Sequence, residues 1–186
     1  NYLDLKKLLV KKGHKFISET DTEVAAHLFE EAIEHLKAPI AKQDFARAIQ
    51  SALNKLKGRY AFLIMCKDAD VLIAARRGSP LIVGKGENGD YYIASDIPAF
   101  LEHTNRVMYL DDEEMVVIDG GHEFINIATG KPVEKRIIDI KLKPEEAEKG
   151  VFQHFMLKEI MEQKETIHRA VNQDEALIKK AVKMIE

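Results

Sequence analysis

The stretch GRYAFLIMCKDADVLIAARRGSPLIVG, residues 58–84, decides the fold class, because short apolar runs in it alternate with turn-forming residues. The runs YAFLIMC, VLIAA and PLIVG are separated by Asp, Gly and Pro, which interrupt strands and favour turns. Four similar runs follow along the chain: DYYIAS, RVMYL, EMVVID and HEFINI. This pattern predicts consecutive strands of largely antiparallel sheets.

Helical periodicity replaces this pattern on both sides of the strand region. HKFIS, residues 14–18, predicts one short strand among the N-terminal helices. The segments with an apolar stripe at helical spacing are 3–12, 21–36, 42–56, 151–160 and 174–186. The order of helices, then strands, then helices predicts the α+β class and argues against alternating βαβ winding.

The composition excludes several classes of partner. The 186 residues carry a formal net charge of -3, which gives no electrostatic case for binding nucleic acid or an anionic membrane. The longest apolar runs are far shorter than the roughly 20 residues of a membrane span. Cys66 is the single cysteine, which rules out an internal disulfide framework and suits a cytoplasmic location.

Three glycines, Gly84, Gly86 and Gly89, spell G-x-G-x-x-G, the fingerprint of dinucleotide-binding loops. That site requires a helix to begin at the glycines, so that its N-terminus faces the pyrophosphate. Here the strand-like run DYYIAS follows. The sequence therefore predicts a hairpin turn at this position.

Two other patterns could carry chemistry, and both have a simpler interpretation. Glu23, His27, Glu31 and His35 recur every four residues and could bind a metal ion on one helix face. No second helix offers a matching set, so a solvated face is favoured and no metal site is predicted. Cys66 ends an apolar run with no histidine near it in sequence, which favours a packing role over a nucleophilic one.

Charged residues at the strand ends are also expected to be structural. Arg76 and Arg77 precede GSPL and could bind an anion, but a strand end exposed to solvent needs no ligand. The aspartates at turns between strands are expected there without any catalytic task. They are Asp68, Asp70, Asp111 and Asp112.

The segment SETDTEV, residues 18–24, remains ambiguous on physical grounds alone. Ser18, Thr20 or Asp21 could cap the helix that follows, and Thr20 with Glu23 matches a capping box. A carboxylate at a helix N-terminus is equally well placed to bind a cationic group, such as the ammonium of an amino acid.

Several motifs in order resemble the glutaminase domains of the glutamine–fructose-6-phosphate aminotransferase family. They run over residues 1 to about 167 and include ISETDTEVAAHL, GRYAFLIM, LIAARRGSPLIVG, YYIASDIPAFLEHT, MYLDDEEMVVID and VFQHFMLKEIMEQ. The resemblance implies an Ntn-hydrolase fold, a four-layer αββα sandwich with antiparallel sheets, present here as a partial domain. Residues 1–150 would be the later portion of the class II glutaminase domain, and residues 151–186 a helical segment leading to the interdomain linker.

The same resemblance implies a reaction and its partners. The glutaminase half hydrolyses L-glutamine, and a sugar isomerase domain of the same protein uses the ammonia to convert fructose 6-phosphate into glucosamine 6-phosphate. No metal ion or organic cofactor is implied. A homodimer would form through the domain that this chain lacks.

The chain departs from the family at its catalytic residues. The family's nucleophile is an N-terminal Cys, whose α-amine serves as base, whereas residue 1 here is Asn. The family's Arg-Trp-Ala-Thr-His segment and its oxyanion-stabilising Asn-Gly pair are also absent, and Asn1 corresponds to a point just after that pair. We therefore predict no catalytic residue in this chain, which should be inactive alone. Asp21 is the one residue carried over, as the group that binds the α-ammonium of glutamine.

Two alternative functions stay open at this point. One is the glutaminase domain of another class II amidotransferase, such as a purine-pathway phosphoribosyl amidotransferase or an asparagine synthetase. The other is a non-catalytic module that kept the fold and lost the nucleophile.

Overall fold

The computed structural model describes residues 1–141, 150–172 and 174–185, without the side chain of residue 185. The chain forms two compact units, residues 1–142 and 143–186. The boundary predicted at residue 150 stays a prediction. Among the described residues, every pairing between strands is antiparallel, which confirms the predicted α+β class with antiparallel sheets.

Three helices begin the first unit and confirm the three predicted N-terminal helices. They are α1 (Tyr2–Lys11), α2 (Asp21–Ile33) and α3 (Lys42–Leu53). The strand predicted at residues 14–18 is wrong, because no β-ladder forms there. The backbone N–H groups of Ile17 and Ser18 instead donate to the Glu23 carboxylate of α2, which replaces a strand partner.

Nine strands lie within residues 1–141, in two sheets ordered β1-β2-β6-β7-β8 and β4-β3-β5-β9. The seven longer strands confirm the seven predicted runs, whereas β8 and β9 have two residues each and were not predicted. The strands are β1 (Tyr60–Cys66), β2 (Ala69–Arg77), β3 (Ile82–Lys85), β4 (Tyr91–Ala94), β5 (Arg106–Tyr109), β6 (Glu114–Ile118), β7 (His122–Asn126), β8 (Pro132–Val133) and β9 (Ile138–Asp139).

The central strands of the larger sheet are buried on both faces, and their side chains alternate between two cores. Ile73 and Ala75 of β2 belong to the core shared with the helices, in which Phe45 is fully buried. Ala74, between them, packs in a second core with Val83 of the smaller sheet. The layers of the first unit are therefore helices, larger sheet and smaller sheet, and α2 lies against the larger sheet.

The second unit contains two helices, α4 (Phe155–Val171) and α5 (Glu175–Ile185), where apolar stripes at 151–160 and 174–186 predicted helices. Each helix carries an ion pair between residues four apart, Lys158 with Glu162 and Lys179 with Glu175. Of the helices that the structure describes, none combines the length and apolar character needed to cross a membrane.

The G-x-G-x-x-G motif forms the hairpin between β3 and β4, as predicted, and no helix begins there. Gly84 pairs with Tyr92 across the two strands, and the Gly86 N–H donates to the Asp90 carbonyl at 2.8 Å to close the turn. Gly89 has a φ of 84°, which favours glycine at this turn position. The motif is a feature of the sheet and not a phosphate loop.

Gly84→Ala is expected to lower the free energy of unfolding by about 1–3 kcal/mol, because the added methyl would overpack this site. A Cβ on Gly84 would lie 2.8 Å from Thr104 Cγ2 and 2.9 Å from a ring carbon of Phe100. Urea denaturation measures the change. Gly121→Ala is the control, since a Cβ there contacts nothing within 4 Å and should shift stability by less than about 0.5 kcal/mol. Equal stability of the two variants would contradict this close packing.

Candidate functional site

The segment before α2 is held by Glu23 and not by the predicted cap residues. Thr20 occupies the N-cap position of α2, but its side chain forms no capping hydrogen bond with the described residues of that helix. Glu23 accepts hydrogen bonds from the N–H groups of Ile17 and Ser18, both at 2.7 Å, and from the Ser18 hydroxyl at 2.6 Å. The predicted pairing of Thr20 with Glu23 as a capping box is therefore wrong, because Glu23 reaches beyond Thr20 to Ile17 and Ser18.

These hydrogen bonds also fix the charge of Glu23. The Ser18 hydroxyl, followed by the Ile17 N–H, lowers the pKa of the Glu23 carboxyl to about 2. Glu23 is therefore ionised at neutral pH and holds the residues that precede Asp21 in place.

Asp21 is the first residue of α2, and its carboxylate is exposed. Within residues 1–141, the Asp21 carboxylate takes part in one hydrogen bond, which its Oδ1 accepts from the Thr22 hydroxyl at 3.5 Å. Asp21 therefore does not cap the helix and remains available to a ligand. The positive end of the α2 dipole lies at this position.

Asp21 lines a concave pocket of about 400 Å³ between the start of α2, the start of the chain and the beginning of β1. The other lining residues are Asn1, Tyr2, Thr22, Val24, Ala25, Leu56, Lys57, Gly58, Arg59, Tyr60, Ala61 and Phe62. Lys57 and Arg59 bring positive charge to the same pocket as the Asp21 carboxylate. A pocket with both signs of charge can bind a zwitterion, such as an amino acid, by its ammonium and its carboxylate.

The side chain of Asn1 forms two hydrogen bonds with the backbone just before β1. Its Nδ2 donates to the Lys55 carbonyl at 2.9 Å, and its Oδ1 accepts from the Lys57 N–H at 3.0 Å. The start of the chain is thereby fixed beside the residues that precede β1.

Tyr60, at the start of β1, is a wall of the pocket that the sequence analysis missed. The residue is 7% exposed, and its hydroxyl has no hydrogen-bond partner among the described residues. Burial raises the pKa of the Tyr60 hydroxyl, so the group is neutral and able to donate. Only its position at the start of an apolar run was readable from the sequence, and that signal does not distinguish a pocket residue from a core residue.

Arg77 packs behind Tyr60, and its side chain is only 24% exposed, which differs from the solvent-exposed strand end that was predicted. Its guanidinium lies 5.6 Å from the centre of the Tyr60 ring. Nη1 donates to the Leu56 carbonyl at 2.8 Å, and Nη2 lies 3.1 Å from Glu113 Oε1. Arg77 is thus engaged by protein groups and positions two residues of the pocket.

Arg76 is engaged in the same way, at the end of β2. It donates to the Leu110 carbonyl at 2.9 Å and to Asp112 Oδ1 at 2.6 Å. The same Asp112 oxygen accepts from the Gly78 N–H, and this bond, followed by that of Arg76, lowers the pKa of the Asp112 carboxyl. Asp112 therefore has the structural role expected of a turn aspartate.

Cys66 does not lie in the pocket of Asp21. It is half-buried at the end of β1 and lines a separate apolar pocket of about 330 Å³ with Phe29, Ile33 and Phe45. Among the residues lining the Asp21 pocket, none offers a thiol. This placement favours the packing role that was predicted for Cys66.

The row Glu23, His27, Glu31 and His35 differs from the solvated face that was predicted. The side chains of Glu23, His27 and Glu31 are 18%, 19% and 21% exposed and contact the segment between α1 and α2. His27 lies beside His14, which is 13 residues earlier, whereas His35 is exposed. The imidazoles of His14 and His27 lie together with the carboxylate of Glu30, and these three groups are candidate metal ligands.

Comparison with known proteins gives a consistent family. A family model described as glutamine amidotransferase domain matches residues 1–102. Glutamine–fructose-6-phosphate aminotransferases [isomerizing] from Methanocaldococcus jannaschii and Thermococcus kodakarensis are each 43% identical to the chain over its whole length. The chain spans 17% and 30% of the length of these two relatives.

A solved structure agrees with this result. The glutamine phosphoribosylpyrophosphate amidotransferase from B. subtilis, complexed with ADP and GMP, superposes with a TM-score of 0.57 and 30% identity. The match covers 69% of this chain and 27% of that chain, and it confirms the predicted Ntn-hydrolase-type fold. Since the family model covers more than half of its residues, the chain belongs to the glutamine amidotransferase domain family.

Proposed function

We propose that the chain is part of the glutaminase domain of an enzyme that makes glucosamine 6-phosphate. This domain hydrolyses L-glutamine to glutamate and ammonia, and the ammonia passes to fructose 6-phosphate. The observation that carries the proposal is the 43% identity to two glutamine–fructose-6-phosphate aminotransferases across the whole chain.

In this proposal, Asp21 binds the α-ammonium group of glutamine. The support for this role is that the Asp21 carboxylate does not cap α2 and is exposed in a pocket large enough for an amino acid. The position of Asn1 in the same pocket adds support. The resemblance implies that the family's oxyanion-stabilising Asn-Gly pair lies just before the position of Asn1. In the complete enzyme, that pair would therefore lie in the pocket beside Asp21.

The proposed partners are L-glutamine and a sugar isomerase domain of the same protein, with a homodimer formed through that domain. The small share of its relatives' length that the chain covers, 17% and 30%, fits this arrangement. So does the edge strand β1, where the side chains of Leu63 and Met65 are 55% and 79% exposed. An apolar strand edge of this kind is usually covered by further structure. We also place the protein in the cytoplasm, which its single cysteine suits.

The 186-residue chain is expected to release ammonia from L-glutamine no faster than buffer does. Asn1 has no nucleophilic side chain, and Cys66 lies outside the pocket of Asp21. Without an attacking atom, a hydrolytic site loses many orders of magnitude in rate. A glutamate dehydrogenase assay of the glutamate produced measures this. Release at an enzyme-like rate, abolished by Cys66→Ser, would contradict the expectation and identify Cys66 as the nucleophile.

The gene provides a second test of the enzymatic assignment. We expect an in-frame cysteine codon directly after the initiator methionine, upstream of the codon for Asn1, because the reaction requires an N-terminal thiol and amine. A gene without this codon would favour a non-catalytic module with the same fold.

A second candidate function is that of a phosphoribosylpyrophosphate amidotransferase, which the match to the B. subtilis enzyme favours. The two candidates differ in the acceptor of the ammonia. We expect fructose 6-phosphate, and not phosphoribosylpyrophosphate, to accept the nitrogen of glutamine in the complete gene product. Transfer to phosphoribosylpyrophosphate alone would favour the second candidate.

A further inference from the structure

Two histidines and a glutamate bring three ligand atoms together on the side of α2. Nδ1 of His14 lies 3.2 Å from Nδ1 of His27. Oε2 of Glu30 lies 3.3 Å from the first of these nitrogens and 3.1 Å from the second. The two imidazoles are largely buried, with 13% and 19% of the side chain exposed, so the three atoms meet at a partly shielded site.

The outer nitrogen of each imidazole faces a carboxylate. Nε2 of His14 lies 3.0 Å from Glu31 Oε2, which is a hydrogen bond, and Nε2 of His27 lies 3.7 Å from Glu23 Oε1. A carboxylate in this position favours the proton on Nε2 and leaves the lone pair on Nδ1. Metal-binding histidines usually have such a partner on the nitrogen that does not bind the metal.

The two carboxylates are themselves fixed by other groups. Glu31 forms an ion pair with Lys12, and Glu23 accepts the three hydrogen bonds from Ile17 and Ser18 described above. The His27 ring also packs edge-on against Phe16, with 4.6 Å between ring centres. These contacts hold both imidazoles in one orientation, so the two nitrogen ligands are preorganised for metal binding.

The charges and spacings of this cluster suit a divalent transition-metal ion. With both imidazoles neutral, two nitrogen lone pairs and a carboxylate oxygen face one another, an arrangement that requires a shared proton or a cation. Ligand atoms of a tetrahedral zinc site, with bonds of roughly 2.0–2.2 Å, lie about 3.3–3.5 Å apart. The observed separations of 3.1, 3.2 and 3.3 Å are close to this value. Imidazole ligands favour zinc over calcium or magnesium.

We propose that His14, His27 and Glu30 bind one Zn²⁺ ion through Nδ1, Nδ1 and Oε2, with the fourth position taken by water. The Glu30 side chain is 65% exposed, which leaves a path for the ion from solvent. The ion would fasten the segment before α2 to the second turn of that helix. This inference does not depend on the proposed glutaminase function.

The test uses the tag-free 186-residue chain after removal of metal with a chelator. Calorimetric titration with ZnCl₂ is expected to show one equivalent bound, and CoCl₂ is expected to give the intense visible bands of a tetrahedral site. His14→Ala and His27→Ala should each weaken binding by at least about 100-fold, and Glu31→Gln by about 10- to 100-fold through its effect on His14. Zinc should raise the melting temperature of the wild-type chain but not of the two histidine variants.

His35→Ala is the matched control, because His35 continues the same four-residue spacing but lies beyond the end of α2, is exposed and does not belong to the cluster. Its affinity for zinc should equal that of the wild type. Glu30→Gln keeps the readout valid if a histidine variant fails to fold, since this exposed residue is replaceable and its loss should still weaken binding at least tenfold. Absence of zinc binding, or binding unchanged in the His14, His27 and Glu30 variants, would overturn the proposal and leave a shared proton as the cation of the cluster.

Discussion

Asp21→Asn is expected to lower kcat/KM for L-glutamine by about 100- to 1000-fold in an intact amidotransferase that contains this chain. The physical reason is the loss of a charged partner for the α-ammonium group, and a fold-change of this size corresponds to about 3–4 kcal/mol. Asn retains the shape of the side chain and one oxygen acceptor but not the negative charge. Steady-state kinetics with glutamine as the varied substrate measure the loss.

The fold should survive this substitution, because the Asp21 side chain is exposed and does not cap α2. We expect the free energy of unfolding to change by less than about 0.5 kcal/mol. Asp44→Asn is the matched control, since Asp44 is an exposed acid in the first turn of α3 and does not line the Asp21 pocket. Its glutamine kinetics should match those of the wild type.

A substrate analogue separates recognition from a general effect on the pocket. Glutamine without its α-amino group should be a poor substrate of the wild-type enzyme, and Asp21→Asn should not worsen it further. If the variant lost activity equally toward glutamine and this analogue, Asp21 would act on something other than the ammonium. Unchanged glutamine kinetics would leave Asp21 with a local role at the start of the helix.

Local sequence signals predicted the elements of the fold but not the contacts between distant residues. Alternation and turn residues gave all seven longer strands, and the G-x-G-x-x-G motif was assigned to a hairpin because a strand follows it. The two-residue strands β8 and β9 exist only through their pairing with β7 and β5, which no local pattern encodes. The strand predicted at residues 14–18 fails for the same reason, since its backbone donors bind a side chain of α2.

The candidate site shows the same division. Asp21 was identified by a resemblance that covers nearly the whole chain, and its helix-terminal position could be predicted from the sequence. Tyr60 and Arg59 gave no signal of their own, because their place in the pocket depends on how β1 lies against α2. His14 lies 13 residues before His27, a spacing with no helical or strand period, so their contact could be found only from the structure.

Lys135→Met is expected to lower the free energy of unfolding by about 3 kcal/mol, because it leaves the buried carboxylate of Glu114 without its cation. Glu114 lies in β6 and is 5% exposed. Its Oε2 lies 2.6 Å from Lys135 Nζ and accepts the Asp111 N–H at 2.7 Å. Lys135 Nζ also lies 2.7 Å from Asp111 Oδ2, so one ammonium joins the two carboxylates. Chemical denaturation at pH 7 measures the loss, and Lys131→Met, at an exposed lysine, is the control that should be nearly neutral.

Two further measurements distinguish an uncompensated charge from lost packing. If the buried charge causes the loss, adding Glu114→Gln to Lys135→Met should restore part of the stability, because the double variant buries no unpaired carboxylate.

The pH dependence of the free energy of unfolding should agree with this result. Burial alone would lower the pKa of Lys135, but hydrogen bonds to Asp111 and Glu114 outweigh it and raise that pKa above its ordinary value. The stability that the ammonium provides is therefore fully present below its unfolded pKa of about 10.4 and is lost as the pH rises through the higher folded value. The gap between wild type and Lys135→Met should thus narrow at strongly alkaline pH, and a gap that stays constant, with no recovery in the double variant, would assign the loss to packing of the lysine stem.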